Sequence, residues 1–215
     1  MTSGWQGALR RKRLFDLCGS LVLTVLLSPV MLVIAIAIKA YDGGPVFFVQ
    51  DRCTINGKVF KIHKFRSMIE NAEKDGEVIP ATDDDARITP VGKIIRKTRL
   101  DELPQFFDIL IGNMSVVGPR PERVEHVEKY VEEVPEFTYR MKVKGGLTGY
   151  AQIYGKYNTS AYDKLKLDLF YIENYSFLLD IKLLFMTVKI FFQKEVSEGV
   201  DDNQKNALKD SEEKK

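Results

Sequence analysis

The chain has 215 residues, 45% of them hydrophobic and 29% charged, with a formal net charge of +2. That length allows one domain with a sizeable core, and the composition excludes a chain disordered throughout. The near-neutral charge gives no case for a nucleic-acid partner. Cys18 and Cys53 have neither metal-ligand spacing nor a disulfide framework, and read as reduced thiols.

The first informative segment is apolar. Leu17 to Ile38 carries no formal charge, and as a straight helix it would be about 33 Å long, enough to cross a bilayer. It is too long for a secretory signal and lacks a small-residue cleavage site. Ser28-Pro29 falls in its middle, where proline removes a backbone hydrogen bond and a neighbouring hydroxyl can satisfy the freed carbonyl. Arg10, Arg11, Lys12 and Arg13 precede the run; Lys39, Arg52, Lys58, Lys61, Lys64 and Arg66 follow it. The positive-inside tendency holds both flanks on the cytoplasmic side, which a single crossing cannot do. The expectation is therefore a re-entrant helix–break–helix over about residues 14–38, in preference to a kinked crossing or a buried core helix.

Asp42-Gly43-Gly44-Pro45 signals a turn. VFFVQDR, Asn56-Gly57 and KVFKIHKF then read as a β-hairpin closed by a type I′ turn. Residues 70–88 are polar and irregular, and Asp83, Asp84 and Asp85 fit a solvated acidic loop better than a metal loop. Thr89-Pro90 opens a helix, threonine as N-cap and proline at its first position, running to about Lys97 or Thr98. A second helix, LPQFFDILIGN, ends near Gly112 or Asn113. Strand-like SVVG leads into the stiff Pro119-Arg120-Pro121.

A charged helix from about Glu122 to Val134 precedes the turn-rich VKGGLTGYAQIYG. Residues 161–173 carry Leu165, Leu169 and Ile172 at helical spacing. SFLLDIKLLFMTVKIFF, with Lys182, Lys189 and Gln193 on one narrow side, suits an amphipathic helix in a membrane interface. Residues 196–215 form a charged tail without aromatics, expected to be disordered, so residues 1–195 read as one domain. The fold class expected is α/β, mostly helical with a short β-hairpin.

The stretch RKTRLDELPQFFDIL, Arg96 to Leu110, sets Asp101 and Glu102 side by side behind basic residues and ahead of an apolar run. Adjacent side chains on a helix point about 100° apart, so the two carboxylates should have different jobs. A helix N-terminus would hold both ionised. An ionised carboxylate is a nucleophile or a hard oxygen ligand for Mg2+, which completes its shell with substrate phosphates and water. Lys93, Arg96, Lys97 and Arg99 supply the positive field a phosphate needs, and Arg120 could add a planar fork. On spacing alone, an acidic helix N-terminus balanced by nearby arginines accounts for the pair at least as well.

Taken together, RKRLFDL, Ser28-Pro29, GPVFFVQDR, FKIHKFRSM, RITPVGKIIRKTRLDELPQFFDIL, GNMSVVGPRP, GGLTGYAQIYG and KLKLDLFYIENYSFLLDIKLL resemble the monotopic phosphoglycosyl transferases, the bacterial sugar transferase family. The series runs in one order over nearly the whole chain. The resemblance implies transfer of a sugar 1-phosphate from a UDP-sugar to polyprenyl phosphate, with Mg2+ required and UMP released, as the first membrane step of capsule, exopolysaccharide or glycoprotein glycan assembly. It implies Asp101 as nucleophile, Glu102 as Mg2+ ligand, and Arg96, Arg120, Lys64 and nearby Arg66 on phosphates or nucleotide; Arg99 joins them from the charge pattern. Ser28 and Pro29 would make the re-entrant break, placing the catalytic part on the cytoplasmic face of the bacterial inner membrane. His63 is expected to pack or hydrogen-bond rather than react.

Some members carry a multi-helix membrane region and a further domain before this core, so the chain is expected to be a minimal member or a catalytic core. A homo-oligomer is compatible with everything above. The readings from other classes are a non-catalytic membrane-anchored scaffold, and a glycosyltransferase using Asp83–Asp85 that would release UDP instead of UMP.

Overall fold

The structure, a computed structural model, describes residues 3–70, 72, 85–155 and 159–192. The expected tail and Asp83 and Asp84 of the acidic loop lie outside the described residues. Helix α1 spans Ser3–Asp42 and is continuous through Pro29. The expected break at Ser28-Pro29 is thus not a gap in helical structure. Pro29 has no amide to offer the Val25 carbonyl, and the Ser28 hydroxyl donates to that carbonyl at 2.7 Å instead. The local cost of the proline is offset by its neighbour.

One stripe of α1 is buried: Asp16, Ser20, Met31, Ile34 and Ile38. Leu21, Val22, Val25, Leu26, Leu32, Val33 and Ile36 are exposed. Residues 9–42 are long and apolar enough to cross a membrane by length and composition, and only 17% of their most apolar window is buried. A helix so apolar and so little covered is compatible with lipid rather than water around it.

Both ends of α1 are fastened to the same body. At the first end, Lys12 pairs with Asp180 at 2.6 Å and Arg13 donates to the Ile109 and Leu110 carbonyls. Asp16 accepts from the Ser115 hydroxyl at 2.8 Å and the Val116 amide at 3.1 Å. At the other end, Ile34 and Ile38 pack with Phe65 and Ile95, and Asp42 pairs with Arg66. The sequence counted Lys12 and Arg13 among the cations flanking the apolar run; the fold also engages both in internal contacts.

Strands β1 (Phe47–Cys53) and β2 (Val59–Phe65) pair antiparallel from Phe47↔Phe65 to Cys53↔Val59. Asn56 and Gly57 both have positive φ, as a type I′ turn requires. Helix α2 (Pro90–Lys97) is capped by Thr89, whose hydroxyl accepts from the Gly92 amide at 2.9 Å. After it come a 3-10 turn (Leu100–Glu102), α3 (Gln105–Ile111) and β3 (Ser115–Val117). Helix α4 spans Val124–Glu133, and a 3-10 segment covers Pro135–Lys142.

The turn-rich glycine segment holds an element that composition did not reveal, strand β4 (Gly146–Thr148), parallel to β3. A Cβ on Gly146 would lie 2.1 Å from the Gly118 amide nitrogen, so only glycine lets the two strands approach. Helices α5 (Tyr150–Tyr154), α6 (Ala161–Glu173) and α7 (Phe177–Phe192) complete the described residues.

Helix α7 buries Asp180 and Leu183, while Leu178, Lys182, Phe185 and Lys189 share its exposed face. That is a face of large apolar groups with lysines among them, as an interfacial helix would present. The protein is therefore a mostly helical α/β chain with the character of a membrane-associated one.

Two apolar clusters form the core. Phe60, Ile62, Phe106, Ile109, Met114, Val117, Tyr171 and Leu183 belong to the first, and Met31, Ile34, Ile38, Phe65 and Ile95 to the second. Leu103 packs on both. The acidic pair directly precedes Leu103, so it sits where the two cores meet.

Candidate active site

Helix α2 ends at Lys97, and Arg99 takes the left-handed conformation (φ 55°, ψ 15°), reversing the chain into the 3-10 turn that carries Asp101 and Glu102. A non-glycine residue there is uncommon and is tolerated where the surroundings enforce it. Successive side chains on a 3-10 turn diverge by about 120°. The two carboxylates accordingly enter different environments.

Glu102 faces β2 and the Pro119–Pro121 segment. Its Oε1 accepts from Lys64 Nζ at 2.9 Å and from Arg120 Nη2 at 2.6 Å. Burial pushes the Glu102 carboxyl up, but Arg120 and Lys64 outweigh it and hold the group well below the ordinary range. Burial lowers the Lys64 amine, against the pull of Glu102. Arg120 is raised, by Glu102 first.

Asp101 differs. It is buried, and its Oδ1 has no hydrogen-bond partner. Burial raises its pKa, and the Lys64 charge opposes the rise. A helix dipole would favour ionisation of both carboxylates, and at Asp101 desolvation acts in the opposite direction. An unsatisfied buried carboxylate oxygen costs stability and so calls for an explanation, such as a bound group or a reactive role.

Of the residues singled out from the sequence, the fold brings together Lys64, Asp101, Glu102 and Arg120. Arg96 and Arg99 lie near enough to lower the Asp101 carboxyl, and Arg96 Nη1 reaches the Ser67 hydroxyl at 3.5 Å. Arg66 is buried and pairs through Nη2 with Asp42 at the end of α1, while its Nε and Nη1 have no hydrogen-bond partner. His63 hydrogen-bonds Asp108 through its Nδ1 at 2.8 Å and its amide at 2.9 Å. It joins β2 to α3.

Sequence reasoning counted Arg52 only as a flanking cation; its Nη1 donates to the Pro121 carbonyl at 3.1 Å. Burial and the neighbouring Arg120 charge push Arg52 down to about 10, which leaves it charged at neutral pH. Sequence reasoning passed over Arg140 and Asp168, paired at 2.7 Å behind Arg120. Nothing in their spacing pointed to the acidic pair; only the tertiary contacts do.

Residues 7–194 match the family described as Bacterial sugar transferase. The chain belongs to that family. This bacterial sugar transferase chain is 48% identical over 182 residues to a UDP-glucose:undecaprenyl-phosphate glucose-1-phosphate transferase of Klebsiella pneumoniae, covering 82% of this chain and 39% of that protein. It is 43% identical to a UDP-N-acetylgalactosamine-undecaprenyl-phosphate N-acetylgalactosaminephosphotransferase of Aeromonas hydrophila, covering 83% and 43%. It is 40% identical to the uncharacterized sugar transferase EpsL of Bacillus subtilis (strain 168), covering 88% and 89%. The chain thus spans about two fifths of the first two relatives and nearly the whole of the third.

Among the described residues of this sugar transferase, no three His, Cys, Asp or Glu side chains gather as an all-protein metal site requires. The ionised Glu102 carboxylate, whose Oε1 already receives Lys64 and Arg120, and the partnerless Asp101 oxygen are hard oxygen donors of the kind Mg2+ takes alongside phosphate and water.

Proposed function

We propose that this chain is the catalytic core of a phosphoglycosyl transferase that moves a sugar 1-phosphate from a UDP-sugar to undecaprenyl phosphate. The observation that carries the reading is the asymmetry of the pair: Asp101 Oδ1 is free, whereas Glu102 is locked between Lys64 and Arg120. The relatives' names describe undecaprenyl-phosphate transferases of glucose 1-phosphate and N-acetylgalactosamine phosphate.

In the proposed reaction the Asp101 carboxylate attacks the β-phosphorus of the UDP-sugar. A P–O bond to Asp101 forms, the bond to the bridging oxygen breaks, and UMP leaves with that electron pair. An oxygen of undecaprenyl phosphate then attacks the same phosphorus and expels the Asp101 carboxylate, giving the polyprenyl-diphosphate-sugar. Arg120 and Lys64 hold Glu102 and present positive charge at the site's edge, while Arg96 and Arg99 add to the field that draws a diphosphate. Mg2+, held by Glu102 with the substrate's phosphate oxygens, would neutralise charge on the leaving group.

The membrane reading rests on α1. Both of its ends are fastened to one folded body, through Arg13 and Asp16 and through Ile38 and Asp42, which supports a helix that enters and leaves by the cytoplasmic face, bending at Ser28-Pro29. Such an arrangement would bring the acidic pair towards the headgroups, where a lipid phosphate resides.

The test is a screen of UDP-sugars with undecaprenyl phosphate in detergent, reading UMP. Mg2+-dependent UMP release with at least one sugar, lost in Asp101→Asn, is expected. Turnover unimpaired in Asp101→Asn would sink the covalent scheme, and release of UDP would point to an ordinary glycosyltransferase.

A further inference from the structure

The segment that carries Arg120 is held from behind by a buried ionic network outside the acidic pair. Arg140, in the 3-10 segment, is 4% exposed, and Asp168, on α6, is 1% exposed. Arg140 donates through Nε to Asp168 Oδ2 at 2.7 Å and through Nη2 to the Arg120 carbonyl at 2.9 Å. Its guanidinium carbon sits 5.0 Å from the centre of the Phe137 ring. Its Nη1 is 3.8 Å from Glu122 Oε1, which Lys164 holds at 2.9 Å.

Buried ion networks are an inefficient way to stabilise a fold, since well-packed apolar groups often serve as well or better. A guanidinium does something an apolar side chain cannot: its fork spans a carboxylate on one element and a carbonyl on another. Here the carbonyl belongs to the residue whose side chain grips Glu102. Pro119 and Pro121 restrict the flanking backbone, and the Arg140 bond fixes the peptide between them.

We propose that Arg140, oriented by Asp168, is a positioning residue for phosphoglycosyl transfer, aligning Arg120 on Glu102 through the Arg120 backbone. This rests on the functional reading above. Arg140 touches neither carboxylate of the pair, and acts only through Arg120.

Arg140→Lys keeps a cation for Asp168 and Glu122 but cannot also span to the Arg120 carbonyl. Its UMP release should fall about ten- to a hundredfold at saturating UDP-sugar, the range typical for residues that orient a site from behind. In an Arg120→Lys background, the same change should cost almost nothing more, because its route of action is already gone. Phenylglyoxal labelling of Arg120, followed by peptide mass spectrometry, should quicken several-fold in Arg140→Lys. Asp168→Asn, which spares Arg140 itself, should quicken it less.

An equal loss in both backgrounds, or unchanged Arg120 labelling in both variants, would overturn the proposal. The labelling needs no turnover, so it judges the positioning role even if the parent releases no UMP. That latter outcome would strike the functional reading alone.

Discussion

Arg120 and Glu102 are joined by a 2.6 Å contact between Nη2 and Oε1, and the same carboxylate oxygen receives Lys64. The pair unites the segment after β3 with the turn before α3, and Lys64 ties both to β2. Three stretches far apart in the chain thus meet on one oxygen. Asp101, the residue just before Glu102, shares none of these bonds.

Asp101→Asn should remove at least about a thousandfold of UMP release, as loss of a nucleophile does. Its melting temperature should hold or rise, because burial penalises the carboxylate that the amide replaces. Thermal unfolding alongside the UMP assay checks both halves. A large fall in melting temperature would mean that Asp101 is structural.

Glu102→Gln should destabilise by about 3 kcal/mol, since it leaves Lys64 and Arg120 without their counter-charge in a mostly buried setting. Adding Lys64→Met should restore part of that loss while activity stays absent. Denaturant unfolding of the single and double variants measures the coupling.

The stability of Glu122 should depend on pH. Burial raises its carboxyl, but His126, Lys164 and Arg140 more than reverse this and leave it lowered. A lowered folded pKa gives stability that is present above the unfolded value, near 4.5, and lost as pH falls below it. The deficit of Glu122→Gln relative to the parent should therefore be largest near neutral pH and shrink below about pH 4. A deficit constant with pH would remove the ionic account.

For topology, Gly7→Cys and Lys58→Cys, both at exposed positions, flank the apolar part of α1. In a Cys18→Ser, Cys53→Ser background, an impermeant maleimide should find both positions on the same, cytoplasmic, face of the membrane. Labelling from opposite faces would show a helix that crosses.

Local rules served well wherever an element depended on its own residues. Thr89 caps α2 and Pro90 begins it, Asn56-Gly57 closes the hairpin, and α6 covers the very span its apolar spacing indicated. β4 escaped notice because three residues within a glycine-rich, turn-like segment carry no strand signal; their pairing depends on the close approach to Gly118. The pairing of Arg66 with Asp42 was not legible either, because it joins the end of α1 to the end of β2 across the hairpin. Arg140 and Asp168 drew no attention, since each was one charge among many.

By itself, the amino-acid sequence determined the long apolar helix, the hairpin, the capped helices and the adjacency of Asp101 and Glu102, all of which follow from short-range periodicity, turn chemistry and covalent order. It left the acidic pair open between a helix cap and a reactive site. Only the tertiary structure decided that Glu102 is gripped by Lys64 and Arg120 while Asp101 Oδ1 is buried without a partner. The reason is physical: burial and charge pairing are set by groups brought from distant parts of the chain, and in a partly desolvated site they push two neighbouring carboxylates in opposite directions.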